Sequence, residues 1–281
     1  EHLVDFLKTK EKPDVLMISN ILLSGLIPLL KKEIGCKIIV TLQGEDTFLD
    51  SLPTSWSREA WILLKTLSED VDLFLPVSQY YAEVMIKRLG LNQEKVKVLH
   101  NGLDLTVFTP SRRSLNPPVL GMLSRLIPDK GLDILTDAFI YIREHEQIPN
   151  LKLKIAGSKL KTDEPFLESI REKLEAANLL EAVEFKHNLS AEEKVRYLSS
   201  LTLFSTPAEY GESFGLYVLE AVASGLPVIQ PDSAAFPELL ESLNTGLLYE
   251  TGNYKSLAQK IVDCYHSYEE YSIKADKARQ V

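Results

Sequence analysis

Residues 209–221 read EYGESFGLYVLEA. A polar loop bearing two glycines gives way, after Phe214 and Gly215, to an apolar helical run. Short apolar stretches at 201–205 and 227–230 complete an order of strand, loop, helix and strand, which predicts a parallel βαβ unit. The helix, predicted to begin near Phe214, directs its free N–H groups and positive dipole end at whatever lies above Ser213, Phe214, Gly215 and Leu216. An anion seated there gains about 0.3–1 kcal/mol, and Gly215 lets a ligand approach the backbone. Glu212 falls in the loop beside this seat. Glu220, two turns into the helix, leans back toward it because helical side chains point to the N-terminus. Two carboxylates repel a bare phosphate but suit hydroxyl groups on either side of one, so a sugar, a diphosphate and a ribose in line match the order. An ordinary helix, with a first-turn glutamate complementing the dipole and a solvated second glutamate, fits the same residues.

The alternation extends toward the N-terminus. Stretches 119–124, 151–156 and 183–186 read as strands, separated by helical patterns at 131–145, 164–177 and 191–198. Residues 114–281 are therefore expected to form a complete doubly wound sheet. Strand 119–124 runs into a loop carrying Arg125 and Lys130, with Pro128 stiffening the backbone between them. Open α/β sheets bind ligands outside the carboxyl ends of their strands. A guanidinium fork and a lysine point charge at that place can clamp a diphosphate, although a solvated loop with ordinary charges is the alternative.

Residues 1–113 give a thinner version of the pattern, opening on a helix and offering strands only at 14–18, 37–41, 72–77 and 96–99. The stretch TPSRRSLNPP at 109–118 suits neither helix nor strand, which places a domain boundary between 113 and 114. A chain of 281 residues, 45% apolar, is long enough for two cores. Thirty-one basic against 40 acidic residues leave a net charge of −9, which disfavours a nucleic-acid partner and leaves any anionic ligand to be held locally. Cys36 and Cys264 are far apart in sequence; they suit neither a disulfide framework nor a zinc site and point to a reducing, cytoplasmic setting. No apolar run approaches the roughly 20 residues of a membrane span.

Taken jointly, GMLSRLIPDKGLD (121–133) and EYGESFGLYVLEAVASGLPVI (209–229) resemble the donor-binding half of family 4 retaining glycosyltransferases, enzymes of the GT-B fold. VKVLHNGLDLTVFTP (96–110) is similar to that family's interdomain hinge, and FPELLESLNTGLLYETGNYKSLAQKI (236–261) to its late loop and helix. The resemblance implies an α/β fold of GT-B type, with two Rossmann-like doubly wound parallel-sheet domains facing a cleft. These are an incomplete N-terminal acceptor-side domain at 1–113 and a nucleotide-sugar donor-binding domain at 114–281. Both ends are expected to be truncated. The glycine-rich loop after the family's first strand has no counterpart, and the chain stops where a closing helix would return to the first domain.

Carried over by position, the resemblance makes Arg125 and Lys130 the pair that neutralises the nucleotide diphosphate and Glu212 the acid facing the transferred sugar. Ser213, Phe214, Gly215 and Leu216 become the backbone at the phosphates, and Glu220 the acid on the ribose. His187 and Asn188 fall where the family places its base-contacting loop, though His187 reads equally as an exposed loop histidine. On the acceptor side, the strand-end position where many members carry a histidine is Gln43, so the catalytic role sometimes given to that histidine does not carry over. Gly44, Glu45 and Asp46 follow it near the acceptor or donor sugar, Asp46 also suiting a helix cap. Ala234 and Ala235 stand where glycines are usual in the late donor loop.

The implied reaction is retaining transfer of a sugar from a nucleoside-diphosphate sugar to an acceptor hydroxyl on a glycan, lipid or small molecule. Arg125, Lys130 and Glu212 carry it, without cofactor or divalent metal, no Asp-x-Asp pair lying near the donor stretches. An inactive nucleotide-sugar-binding or scaffold domain of the same fold is the rival reading, favoured by Gln43 and the missing ends. A sugar-nucleotide epimerase or a phosphorylase shares the fold, which alone does not exclude them. Nothing in the residues selects UDP, GDP or ADP, the sugar, the acceptor or the oligomeric state. Peripheral membrane contact is expected only through the missing N-terminal part, because Lys8, Lys10, Lys12, Lys31 and Lys32 are scattered.

Overall fold

The structure, a computed structural model, describes residues 2–108 and 114–279. The expected boundary between 113 and 114 adjoins residues 109–113, which lie outside the described residues. The chain divides into two compact units, Glu1–Asn101 and Gly102–Val281.

The first unit opens on a short helix, α1 (His2–Phe6), whose following residues wind into a wider turn before β1 (Val15–Ile18). Then come α2 (Ile27–Glu33), β2 (Lys37–Leu42), α3 (Glu45–Ser51), α4 (Thr54–Leu67), β3 (Leu73–Pro76) and α5 (Gln79–Leu89). The three strands pair in parallel in the order β1-β2-β3. Along the central strand Ile38, Val40 and Leu42 are fully buried while the residues between them are not, the period of two that puts one pleat face in the core. The fourth strand expected at 96–99 is reduced to a single bridge between Val96 and Phe74. Lys97 N–H donates to the Phe74 carbonyl and Leu99 N–H to that of Pro76, so the segment lies in register beside β3 without closing a second bridge.

The second unit holds β4 (Val119–Leu123), α6 (Leu132–Glu144), β5 (Lys152–Gly157), α7 (Glu164–Ala176), β6 (Val183–His187) and α8 (Ala191–Ser199). It continues through β7 (Leu203–Phe204), α9 (Leu216–Ala223), β8 (Ile229–Pro231), α10 (Phe236–Leu243), β9 (Leu247–Tyr249), α11 (Tyr254–His266) and α12 (Tyr268–Ala278). Its strands run β6-β5-β4-β7, and a bridge from Phe204 to Val228 carries the sheet on to β8-β9. All pairings are parallel. Leu120, Met122, Leu153, Ile155 and Leu203 are fully buried and pack with Leu135 and Phe139 of α6, Leu167 and Leu174 of α7, and Leu257 and Ile261 of α11. Near-continuous apolar strands are what a sheet covered on both faces requires.

Strand order reverses direction at β4. The chain steps outward through β5 and β6, returns, and departs on the other side with β7. In open parallel sheets the crevice at that switch, beyond the carboxyl ends of the two strands, is the natural ligand seat. The loops that leave β4 and β7 are the two stretches bearing Arg125, Lys130 and Glu212.

Candidate functional site

Two features draw the β4 and β7 loops together. Pro128 opens a single 3-10 turn, closed by Lys130 N–H on the Ile127 carbonyl and Gly131 N–H on that of Pro128. Gly131 then caps α6 at φ 69°, and a Cβ built on it would stand 1.9 Å from the Pro207 carbonyl oxygen. Only glycine tolerates both the left-handed backbone and that approach. Just beyond, Glu209 N–H donates to the Asp129 carbonyl at 3.1 Å, so the two loops are tied main chain to main chain.

This tie delivers Lys130 to Glu212, with Nζ 2.8 Å from Oε2. The Tyr217 hydroxyl donates to the same oxygen at 2.8 Å, and the lysine nitrogen lies 5.8 Å from the Tyr217 ring centre. Glu212 is mostly enclosed, its side chain 14% exposed. Burial, the largest influence, pushes the carboxyl's pKa upward. The Lys130 charge and hydrogen bond, the Tyr217 hydroxyl and the Phe214 backbone N–H outweigh it and hold the group below the usual glutamate value. Burial and the neighbouring Glu212 charge keep the Tyr217 phenol protonated far above its ordinary range, which makes it a donor.

The helix mouth lies in the same loop. Gly215 is the N-cap of α9 at φ 88°, with no side-chain cap, so α9 begins at Leu216, two residues later than expected. Ser213 and Phe214 are buried and Leu216 is exposed; the Val218 N–H turns back onto the Gly215 carbonyl at 2.8 Å, and the helix amides before it have no carbonyl of the preceding turn to meet. The Ala235 N–H donates to the Glu212 carbonyl, which packs the alanine-bearing late loop against the carboxylate's own backbone. Arg125 stands exposed past the end of β4, where β4 and β5 are fused so closely that a Cβ on Gly157 would meet the Ser124 carbonyl oxygen at 1.6 Å.

Glu220 is 7% exposed and forms an ion pair with Lys194 of α8. Both line a cavity of about 640 Å³ together with Leu103, Val107 and Phe108 of the segment leading into this unit. His187 ends β6, and Asn188 takes the left-handed conformation at φ 53°. Asn188 bonds main chain to main chain with Gly157, and its side-chain oxygen accepts from the Lys159 N–H. Burial, then the charges of Lys159 and Arg171, depress the His187 pKa. These two residues shape the turn at the β5 and β6 ends and make no hydrogen bond to the Lys130–Glu212 pair.

The acceptor-side residues belong to the first unit and form a group of their own. Glu45 is 3% exposed, and its carboxylate accepts from the N–H groups of Gln43, Gly44 and Ile21 and from the Tyr81 hydroxyl. That carboxylate is committed to holding its own loop. Gly44, at φ 116°, caps α3, so the cap suggested for Asp46 is absent; Asp46 N–H instead lies 3.3 Å from the Tyr81 hydroxyl. Gln43 is exposed and bonds Thr41 and Ser19 through its amide.

Tyr217 and Lys194 were not among the residues singled out from sequence. Tyr217 follows Glu212 by five residues across a helix start, a spacing without a fixed geometry until Gly215 turns the chain. Lys194 lies in a polar helix held by Tyr197, whose hydroxyl bonds Met122 and Lys154 of the sheet, and its pairing with Glu220 is set only by that tertiary placement. Among the described residues no group of three or more His, Cys, Asp or Glu side chains is arranged to hold a metal ion, and no helix is long and apolar enough to cross a membrane.

The profile of the family described as glycosyl transferases group 1 matches residues 104–281, and that of glycosyltransferase family 4 matches residues 2–107. The chain is 27% identical over 245 residues to the GDP-mannose-dependent monoacylated alpha-(1-6)-phosphatidylinositol monomannoside mannosyltransferase of Corynebacterium glutamicum, covering 81% of this chain and 60% of that protein. It is 26% identical over 191 residues to a D-inositol 3-phosphate glycosyltransferase of Mycobacterium sp. (strain KMS), covering 65% of this chain and 42% of that one. The chain thus spans about half the length of the curated relatives it matches. Among solved structures it resembles Anabaena Alr3699/HepE in complex with UDP, with a TM-score of 0.83 at 20% identity over 99% of this chain and 76% of that one.

Proposed function

Because the chain belongs to the glycosyl transferases group 1 family, we propose that it transfers a sugar from a nucleoside-diphosphate sugar to an acceptor hydroxyl with retention of anomeric configuration. The observation that carries this reading is the convergence of Lys130, Glu212 and the mouth of α9 at the switch point of the sheet. As the anomeric C–O bond lengthens, negative charge grows on the leaving diphosphate. Lys130, Arg125 and the amides at Gly215 and Leu216 stand at the switch point where that charge develops, and contacts that strengthen with it favour the transition state over bound substrate. The two cations supply the neutralisation that a divalent ion gives elsewhere, so the reaction is proposed to proceed without one. Glu212, ionised and enclosed, faces the sugar, whose ring gains positive character as the bond breaks. The cavity beside Glu220 takes the nucleoside, with the carboxylate on the ribose hydroxyls. UDP and GDP, the nucleotides named for similar proteins, are the first donors to test.

The test is a thermal-shift panel of UDP, GDP and ADP, followed by nucleoside-diphosphate release from the matching sugar nucleotides. One of the three is expected to raise the melting temperature, by the equivalent of about 2.7 kcal/mol at a hundred times its Kd. Three flat curves, together with no turnover of UDP-glucose or GDP-mannose, would set the reading aside.

A further inference from the structure

A diphosphate competes with Glu212 for Lys130, because it carries the larger negative charge. In the structure its ammonium sits on Glu212 Oε2, and the donor reading requires it to turn toward phosphate oxygens. A carboxylate this enclosed, stripped of its cation, takes up a proton unless other donors hold its charged form. We propose that Tyr217 is the positioning residue that keeps Glu212 ionised and in place when Lys130 is drawn to the diphosphate of the donor, an inference that rests on the donor reading above.

The geometry is specific. Tyr217 Oη is 2.8 Å from the very oxygen that Lys130 contacts, so it already occupies the site left short of a partner when the lysine moves. The Phe214 N–H is the other donor to that carboxyl, and it is fixed by the backbone. The remaining charged or titratable groups nearby are of little help. Glu209, on the same loop, is an anion, and Tyr249 of β9 is a neutral phenol beside it. Glu238 lies in the first turn of α10, the helix that follows the Ala235 amide bound to the Glu212 carbonyl. The half-buried Tyr217 ring lies 6.4 Å from that of Phe204, centre to centre.

The consequence is a proton linkage. In the native protein, nucleoside-diphosphate binding leaves Glu212 ionised. In Tyr217→Phe the same binding strands the carboxylate, and Glu212 takes up a proton. Binding is therefore strengthened as pH falls through the range where that proton is gained. Titration calorimetry with UDP, GDP or ADP, whichever gives the largest thermal shift, in buffers of different ionisation enthalpy at pH 6.5, reads this directly. Y217F is expected to take up about half a proton or more per site beyond the native protein, and Y217F/E212Q to lose that excess. Its Kd is expected to be about 3- to 10-fold weaker than native at pH 8 and to converge toward native near pH 6. Equal proton uptake in Y217F and native protein overturns the proposal. Should Y217F not fold, native protein against E212Q decides: matched uptake supports it, and excess uptake by the native protein overturns it. Absence of nucleotide binding to native protein is the separate failure of the donor reading.

Discussion

Lys130→Ala is expected to lower turnover about 100- to 1,000-fold, the loss that follows removal of one donor to developing negative charge. Two effects combine. The leaving diphosphate loses the Lys130 cation. Glu212, 14% exposed, also loses the charge that is the main reason its carboxyl lies below the usual value despite burial. A carboxyl whose folded pKa is depressed contributes stability above its unfolded value, and that contribution is lost as pH falls through the folded value. In K130A the folded value moves up, so the variant should lose its native-state advantage at a higher pH than the native protein. Lys130→Arg should recover only part of the rate, because a planar fork does not replace a compact ammonium held 2.8 Å from Glu212. Steady-state release of nucleoside diphosphate measures the rate, and a melting curve confirms that the fold survives. A near-native rate in K130A would remove the lysine from the mechanism.

Gly131→Ala should be as damaging without touching any polar group. The new Cβ would meet the Pro207 carbonyl oxygen at 1.9 Å, on a backbone at φ 69°. A left-handed non-glycine residue alone costs about 1–2 kcal/mol. Relieving the clash must also separate the two loops whose contact delivers Lys130 to Glu212. A displacement of about 1 Å is enough to cost on the order of 100-fold in rate. The expected result is a folded protein with a lowered melting temperature, weakened nucleotide binding and little turnover. Unchanged melting temperature and binding in G131A would show that the β4 and β7 loops do not depend on that contact.

The second unit was legible because its signals agree at several levels. β-Branched and leucine-rich strands alternate with amphipathic helices, so β4 through α8 fall within a residue or two of the expected spans. Arg125, Lys130 and Glu212 could be named because a strand-end loop fixes where its charges fall before any packing is known. Other features depended on contacts distant in sequence. β9, only Leu247–Tyr249, is too short to show a period. The stretch at 96–99 has strand composition but closes only one bridge. Glu45 resembled a site acid, yet burial and four hydrogen-bond donors turn it inward. Tyr217 and Lys194 became visible only once α9 was placed, because the helix start at Gly215 sets which way residue 217 faces and α8 supplies the partner of Glu220.

On the proposed function, Arg125, Lys130 and the mouth of α9 hold a pyrophosphate, with Glu212 and Glu220 at its two carbohydrate ends. A crystal structure with the nucleoside diphosphate that binds best decides this arrangement. Lys130 Nζ is expected to have moved from Glu212 onto a phosphate oxygen, with Arg125 and the Gly215 and Leu216 amides on the same group and the ribose hydroxyls on Glu220. A bound nucleotide with Lys130 still on Glu212 and its phosphates away from α9 would contradict it.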